Sequence, residues 1–368
     1  MLALNLLVAI LACFLAAEAS PLNETEPRAS CTVTSYSKVA DAVSSCTDIV
    51  IDGITIPAST TLELDLKDGA TVTFQGYNKF DYAQWDGPLM KIKGKGITVK
   101  GASGHSLDGQ GNKYWDGKGS SGGKTKPKFF RIEATGSSVF KSINLDNCPR
   151  QCVSIGNSDG LTISDWTIDS SAGDSKGKNT DGFDISSSSN IVIENTVVKN
   201  QDDCIAVNHG SDMKFTGLTC SGGHGLSLSV GQSKTDSSAN TVSNIVFSDS
   251  TVTDSRNGIH IKTHSDAASG SIKDVTYSNI KLSGITYYGI NIQEDYENGS
   301  SSGTAKGNIP ITGLKMSSIT GSMTGSHSMP VYILCGDGGC SSWSWSDISI
   351  TGNKKSNSCN YSPSGFSC

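Results

Sequence analysis

Five segments of this chain repeat one pattern: Asp181-Gly-Phe-Asp-Ile, Asp203-Cys-Ile-Ala-Val, His224-Gly-Leu-Ser-Leu, Asn257-Gly-Ile-His-Ile and Tyr288-Gly-Ile-Asn-Ile. In each segment a polar or aromatic residue precedes a glycine, or a cysteine in one case, and an apolar-x-apolar run follows. Side chains alternate between the two faces of a β-strand, so the apolar residues of each run share one face. Stacked as parallel strands, the segments predict an apolar core on one face and a polar column on the other.

A looser repeat surrounds these segments and predicts a β-helix. Apolar-alternating tetrapeptides recur at uneven intervals of roughly 20 to 40 residues, which is typical of a solenoid with variable loops. They begin at Ile97, Leu161, Ile191, Met213, Ile245, Val275, Leu314 and Ile348. Residues 36–45 are the clearest helical candidate, with Val39, Ala40 and Val43 on one face. Such a helix would cover the open edge of the first coil.

Composition and charge agree with this fold class. The 368 residues are 36% hydrophobic and 17% charged and include 41 glycines, which is typical of an all-β protein with many short strands and turns. The net charge of −6 argues against a nucleic-acid partner, which would require a basic face. No segment after the N-terminal leader is apolar enough to predict a membrane span.

The N-terminal segment and the cysteines predict secretion. An apolar stretch from Leu6 to Ala17 ends in Ala17-Glu-Ala, so residues 1–19 read as a signal peptide and residues 20–30 as a short propeptide or linker. Cys13 lies in this leader, and ten cysteines remain, an even number that favours disulfides over a metal site. Three pairs are close in sequence: Cys31 with Cys46, Cys335 with Cys340, and Cys359 with Cys368. Sequons for N-glycosylation occur at Asn23, Asn298 and Asn360.

The five-segment register also predicts a functional site. Equivalent residues of neighbouring parallel strands lie about 4.8 Å apart, so Asp181, Asp203 and His224 would form a column. Asp202 and Asp203 are consecutive, and both could face that column only from a turn at the start of the strand. The glycines that precede the runs would fall on the same outward face and leave the floor of a groove. These are Gly182, Gly225, Gly258 and Gly289.

Four motifs in this register resemble the signature motifs of the polygalacturonases of glycoside hydrolase family 28. They are Asn179-Thr-Asp, Gln201-Asp-Asp-Cys, Gly223-His-Gly and Ile259-His-Ile-Lys. The segments Gly104-His-Ser-Leu-Asp-Gly-Gln-Gly and Tyr114-Trp-Asp-Gly further resemble the fungal-type endo-acting members. The resemblance covers essentially the whole mature chain, and it implies one right-handed parallel β-helix catalytic domain over residues 31–368.

The resemblance also implies roles for individual residues in the inverting hydrolysis of α-1,4-linked galacturonan. Asp202 would be the general acid, Asp181 and Asp203 would hold and activate the attacking water, and His224 would support the acid. The substrate-contacting positions would be Asn179, His260, Lys262 and Tyr288. The pairs Cys31–Cys46, Cys204–Cys220, Cys335–Cys340 and Cys359–Cys368 carry over from the family. Cys148 and Cys152 are additional and would form a fifth bridge across a short turn.

The chemistry agrees with this assignment, since inverting glycosidases require one protonated and one ionised carboxyl group. A calcium-dependent lyase would instead need an arginine base in this register, and none is present there. We therefore expect no cofactor and no metal. The expected partner is polygalacturonic acid or demethylated pectin, and we expect a secreted monomer acting within an open groove, without a membrane or nucleic-acid partner.

One position departs from the family pattern, because His260 stands where an arginine is usual. One interpretation is that a histidinium replaces the arginine charge at acidic pH, so that KM would rise as the pH climbs through the histidine range. The alternative is a non-catalytic protein that binds galacturonan. Retention of the three aspartates and His224 favours the enzyme.

Overall fold

The computed structural model describes residues 30–297 and 299–368. Almost all its strands belong to one parallel sheet that winds as a right-handed β-helix, as the sequence predicts. The expected signal peptide, nearly all of the expected propeptide, Asn23 and Asn298 lie outside the described residues. In the described part, no helix is long and apolar enough to cross a membrane.

Each coil contributes one strand to each of three stacks, which we call the first, second and third sheets. The first sheet carries the five-segment register. Its strands are Leu62–Asp65, Met90–Lys95, the first half of Phe130–Lys141, Val153–Gly156, Phe183–Ser186, Ile205–Val207, Leu226–Val230, Asn257–His264, Tyr288–Glu297, Met329–Leu334 and Ser358–Cys359. The short strand Ser300–Ser301 folds back antiparallel on Tyr288–Glu297.

The other two sheets close the coil. The second sheet contains Ser30–Val33, Asp48–Asp52, Thr71–Gln75, Thr98–Gly101, the second half of Phe130–Lys141, Asp159–Ser164, Ser188–Glu194, Gly210–Thr216, Thr241–Thr253, Ser271–Ile285, Ile311–Thr312, Lys315–Met323, Cys340–Ser341 and Ser344–Thr351. The third sheet contains Thr55–Ile56, Tyr77–Phe80, Ser106–Asp108, Asn144–Asp146, Thr167–Asp169, Val197–Lys199 and Thr219–Ser221. It continues into the ends of the longest second-sheet strands, beginning with Thr241–Thr253.

The register of the first sheet is the one predicted. Phe183 pairs with Ile205, Ile205 with Leu226, and Leu226 with Ile259. Ile290 follows Ile259 in the same row, and all five side chains are fully buried. The apolar alternation therefore forms the core, because a one-residue shift would turn every one of these side chains to the outer face.

A single left-handed residue on each coil turns the chain from the second sheet into the third. The strand pairings align these corner residues, and their φ angles lie between 50° and 65°. They are Ser142, Asp165, Asn195, Gly217, Asp249, Asn279, Ser318 and Asp347. Asn, Asp and Gly occupy this backbone region most readily, so the polar composition of the chain has a conformational cause.

The N-terminal helix is present, and of its predicted face Val39 is buried and Val43 packs against the core, but Ala40 does not. A 3₁₀ turn, Tyr36–Lys38, leads into the α-helix Val39–Ser45, which contacts Ser30–Val33 and Leu62–Asp65. Val39 and Ala42 are buried, whereas Ala40 is exposed. Positions three apart share a helix face, so 39 and 42 point to the core and 40 does not. Three further 3₁₀ turns are Gly111–Lys113, Ser171–Gly173 and Ser238–Asn240.

The C-terminal end corrects the last unit of the predicted repeat. Lys315 pairs with Ser344 and Met316 with Trp345, so the tetrapeptide equivalent to Leu314-Lys-Met-Ser begins at Trp343 and not at Ile348. The two indoles are buried and stacked 6.1 Å apart. Aromatic residues at these positions do not match an aliphatic template, which explains the error.

The glycines at the second position of the repeated segments do not line the groove, contrary to expectation. A Cβ on Gly258 would lie 2.6 Å from a methyl group of Leu282, and one on Gly289 would lie 2.7 Å from a methyl group of Ile350. Glycine is needed there because the chain turns tightly from the third sheet into the first, and a side chain would collide with the core.

The ten cysteines of the described residues form five disulfides. They are Cys31–Cys46, Cys148–Cys152, Cys204–Cys220, Cys335–Cys340 and Cys359–Cys368. Each joins residues no more than 16 positions apart, so the bridges staple individual turns and do not tie distant coils together. At the sequon of Asn360, the side-chain amide donates to the carbonyl oxygen of Cys335 and accepts from its N–H.

Candidate active site

The three aspartates occupy the same turn on consecutive coils, just before the first-sheet strands. The N–H of Gly182 donates to the carbonyl oxygen of Asp203 at 2.9 Å, which places the turns of Asp181 and Asp203 side by side. Asp202 and Asp203 both line one groove because the strand Ile205–Val207 has not yet begun there. The expected turn at the start of this strand is therefore present.

Asn200 holds this turn in shape. Its side-chain Nδ2, almost completely buried, donates to the carbonyl oxygens of Thr180, Asp202 and Asp203 at 2.9, 3.0 and 2.9 Å. The N–H of Asp203 in turn donates to Oδ1 of Asp202 at 2.9 Å. One amide thus links the carbonyl groups of both coils, and it adds to the N–H donors that Asp202 and Asp203 receive from His224 and Gly182. The sequence indicated a turn at Asn200 but not this role.

Asp203 forms a buried ion pair. Its Oδ2 accepts from Nζ of Lys262 at 3.0 Å, and its Oδ1 accepts from the Ser227 hydroxyl at 2.6 Å. Burial lowers the pKa of Lys262, but the Asp203 charge outweighs this and raises the pKa above its usual value. Much of the positive charge of Lys262 is therefore matched within the protein.

Asp202 and His224 form a second, more open pair. Nδ1 of His224 lies 3.0 Å from Oδ1 of Asp202, and Nδ2 of Asn179 donates to Oδ2 of Asp202 at 3.2 Å. Burial lowers the pKa of His224, but the hydrogen bond and charge of Asp202 raise it above its usual value. Burial also raises the pKa of Asp202, yet the His224 hydrogen bond brings it down to about 2. Without substrate, this pair holds its proton on the imidazole.

Asp181 has the opposite character. Burial raises its pKa well above the usual carboxyl value, and the neighbouring charges of Asp202 and Asp203 raise it further. Its Oδ1 has no hydrogen-bond partner within the described chain. Three carboxyl groups held together cannot all ionise easily, and the structure gives them different surroundings: Asp203 is paired with a lysine, Asp202 with an imidazole, and Asp181 has a raised pKa.

His260 lies in the groove but cannot carry the charge expected of it. Its side chain is 7% exposed, and burial lowers its pKa well below the usual histidine value. The nearby positive charges of Lys262, His224 and Arg256 lower this pKa further. A neutral imidazole cannot replace an arginine, so the expected rise of KM through histidine titration has no basis in the structure.

Two adjoining cavities form the groove, with volumes of about 700 and 780 Å³. They share Ser121, Asn179, Asp202, His224 and Arg256, so the Asp202–His224 pair lies where they meet. The groove therefore continues on both sides of the carboxylates.

The remaining sequence-predicted residues also line the groove. Tyr288 stacks on Tyr332 with ring centres 5.1 Å apart, and the edge of its ring meets Tyr287. Asn179 is fixed by the N–H and hydroxyl of Ser120, which donate to its Oδ1 at 2.9 and 3.0 Å. The structure thus brings together every predicted catalytic and substrate-binding residue.

Several groove residues received no functional role from the sequence. They include Asp184, Asn208, Arg256, Tyr287, Asn291, Gln293 and Tyr296, and Ser120 holds Asn179 beside them. Strand alternation places Asp184, Asn208, Asn291 and Gln293 on the outward face, so a signal existed for these four. Tyr296, whose ring centre lies 5.1 Å from Nζ of Lys262, follows a register shift that alternation does not reveal.

Within the groove, one group of side chains could in principle hold a metal ion. Asp202, Asp203 and His224 each offer a ligand atom, and these atoms lie within 4.8 Å of one another. However, Nζ of Lys262 already supplies a positive charge 3.0 Å from Asp203, and the His224 imidazole does the same for Asp202. The internal partners therefore satisfy the carboxylates without a cation.

Comparison with known proteins agrees with the site. The model of the glycosyl hydrolases family 28 matches residues 46–368. A polygalacturonase of Phaedon cochleariae is 52% identical over 92% of this chain and 93% of its own. Endopolygalacturonase A of Aspergillus niger is 50% identical over 95% of this chain and 93% of its own. Among solved structures, endopolygalacturonase I from Stereum purpureum, complexed with two galacturonates, is 38% identical in sequence. It superimposes with a TM-score of 0.76 over 90% of this chain and 96% of its own. This chain therefore belongs to family 28 of the glycosyl hydrolases.

Proposed function

We propose that this protein is a secreted endopolygalacturonase that hydrolyses α-1,4-galacturonosyl linkages with inversion. One observation carries the proposal: Asp181, Asp202 and Asp203 meet on one side of a continuous groove, and their environments differ. Glycoside hydrolysis requires such a division between carboxyl groups that give and accept protons. The relatives named polygalacturonase and endopolygalacturonase support the choice of substrate.

In the proposed reaction, Asp202 protonates the glycosidic oxygen as the bond to the anomeric carbon breaks. The His224–Asp202 pair shares one proton. When the anionic substrate binds, this proton moves from the His224 imidazole to Asp202, which then holds the carboxylic acid that the reaction needs. Asp181 and Asp203 hold a water on the opposite side of the sugar. In the reactive form Asp181 is ionised and accepts the water proton, and its raised pKa makes it the stronger base. Lys262 and the Ser227 hydroxyl hold the Asp203 carboxylate in place.

An open groove supports endo action. The two cavities extend to either side of Asp202 and His224, so a polymer can pass across the carboxylates without ending there. An exo-acting enzyme would need one end of the groove closed. Asn179, Tyr288 and the neutral His260 would contact the sugar units in the groove.

Secretion and the monomeric state also belong to this proposal. The leader pattern of residues 1–19 and the five disulfides support an oxidising, extracellular location. The sequons at Asn23, Asn298 and Asn360 stay predictions. The non-catalytic alternative rested on His260 alone, and no observation favours it.

Release of reducing sugar from polygalacturonate tests the activity, and Asp202→Asn is the control. Product sizes over time test endo action, since random cleavage first yields long oligomers. Proton NMR of the first product tests inversion, which requires the β-anomer. A folded wild-type protein that releases no reducing sugar at any pH from 4 to 8 would falsify the proposal.

A further inference from the structure

The first cavity carries one cation that the reaction described above does not use. Galacturonan is anionic at each sugar unit, so its binding calls for positive charge in the groove. Lys262 is 6% exposed and already paired with Asp203, and His260 is neutral. Of the residues that line the first cavity, only Arg256 offers a permanent charge without an internal counterion in the described part of the chain.

The backbone fixes Arg256 between the carboxylates and the aromatic end of the groove. Its N–H donates to the carbonyl oxygen of Gly223 at 2.7 Å, beside His224. Its carbonyl oxygen accepts from the N–H groups of Tyr287 and Tyr288 at 2.9 and 3.2 Å. Arg256 therefore occupies the coil between His224 and Tyr288, on the C-terminal side of the catalytic carboxylates.

The guanidinium group is oriented but its donors are unused. Its carbon lies 4.8 Å from the ring centre of Tyr287, a cation–π contact that engages the flat face of the group. Among the described residues, no carboxylate lies within 4.0 Å of it and no acceptor takes a hydrogen bond from it. A stacked guanidinium keeps its N–H edge free, and that edge matches a carboxylate in a bidentate manner.

A second observation points to a ligand at the same place. Nε2 of His260 is buried, lines the first cavity together with Arg256, and has no hydrogen-bond partner within the described chain. Buried polar atoms without a partner are rare, and those in a binding groove are satisfied when the ligand arrives. A sugar unit at this position would offer its hydroxyl groups to His260 and its carboxylate to Arg256.

We propose that Arg256 binds the carboxylate of a galacturonate unit that lies next to the cleaved bond, toward the C-terminal end of the β-helix. It supplies the positive charge that His260 does not. This inference rests on the proposed function for the nature of the ligand. It makes Arg256 a specificity-determining residue that recognises the acidic sugar and takes no part in bond cleavage.

Equilibrium binding of a galacturonate oligomer, measured by calorimetry on the Asp202→Asn protein, tests this inference separately from catalysis. We expect Arg256→Gln to weaken binding about tenfold, because it removes a charge-assisted, bidentate contact. The affinity of Arg256→Lys should lie between those of the parent and of Arg256→Gln, since lysine keeps the charge but cannot form the bidentate contact. Lys214→Gln, which removes an exposed lysine on the second sheet, is the matched control and should bind as the parent does.

The same titration with a fully methyl-esterified oligomer separates charge recognition from a structural effect. Arg256→Gln and its parent should bind the neutral oligomer equally, whereas a distorted groove would weaken binding of both oligomers. Adding His260→Arg to Arg256→Gln should restore at least half of the lost binding energy. Equal affinity of parent and Arg256→Gln for the acidic oligomer would overturn the inference, whether or not the wild-type protein hydrolyses polygalacturonate.

Discussion

Two lysines at equivalent outward positions of the β-helix have opposite environments. Lys214 lies in Gly210–Thr216 of the second sheet and is exposed, whereas Lys262 lies in Asn257–His264 of the first sheet and is 6% exposed. Strand alternation sends both away from the core. Only the first sheet is bordered by loops that carry groove residues such as Ser121 and Ser300. A buried polar residue on an outward face is therefore the mark of the functional surface.

The difference has an energetic reason. Removing a charge from water is costly unless a partner compensates, so buried polar side chains on the first sheet must be paired. Asp203 with Lys262 and Asp202 with His224 meet this requirement. On the second sheet, solvent replaces such partners. The two surfaces should consequently respond very differently to the same substitutions.

The largest expected effect is on catalysis. We expect Asp202→Asn to lower kcat about a thousandfold, since removal of a general acid typically costs 10²- to 10⁴-fold. Asp212→Asn, on an exposed strand of the second sheet, should leave kcat within experimental error. Reducing-sugar assays of the two variants check this. Comparable losses in both would mean that Asp202 has no special role.

The next largest effect is on stability. Lys262→Met leaves Asp203 buried without its partner, and breaking a buried pair in this way costs about 3 kcal/mol or more. Lys214→Met should change the free energy of unfolding by no more than about 0.5 kcal/mol, as is usual for an exposed site. Denaturant unfolding of both variants measures the contrast. A similar small change in both would contradict the buried ion pair.

A smaller effect is expected from the amide that shapes the catalytic turn. Asn200→Ala removes three hydrogen bonds to buried carbonyl oxygens, so we expect a loss of about 2 kcal/mol of stability. The carbonyl oxygens of Asp202 and Asp203 keep the N–H groups of His224 and Gly182 as donors, and that of Thr180 loses the amide. The substitution should also lower kcat, because Asp202 and Asp203 would lose their placement. The control is Asn208→Ala, which removes one hydrogen bond from a side-chain amide to Asp184 in the same groove. Thermal unfolding and kcat measured together would show whether the turn depends on Asn200.

The smallest effect concerns pH and His260. The pKa of His224 is raised, so its proton is fully bound below the ordinary value of 6.5 and is lost as the pH rises through the higher folded-state pKa. We expect kcat/KM to fall over that upper range. KM should show no titration from His260, because its pKa is well below the ordinary value and the group stays neutral. A His260→Gln variant with a flatter KM profile than the wild type would contradict this.

The sequence predicted the part of the molecule that repeats. Phe183, Ile205 and Leu226 align from their sequence pattern because alternation and parallel stacking impose the same register on every coil. The neighbouring placement of Asp181 and Asp203 follows from that register. Errors occurred at Trp343, where the repeat ends, and at the glycines of the repeated segments, such as Gly258. At these positions, contacts with another sheet determine which residue type fits, and the local sequence pattern does not show these contacts.

By itself, the sequence determined the β-helix, its core rows and the set of carboxylates, because these depend on periodicity and residue type. The tertiary structure decided the electrostatics: which carboxyl group retains a proton, why His260 is neutral, and where Arg256 stands. These properties depend on burial and on charges from other coils, such as those of Asp203 and Lys262, which lie 59 positions apart in the sequence. Local sequence pattern cannot report such distances, since desolvation and Coulomb energy arise only when the coils are stacked.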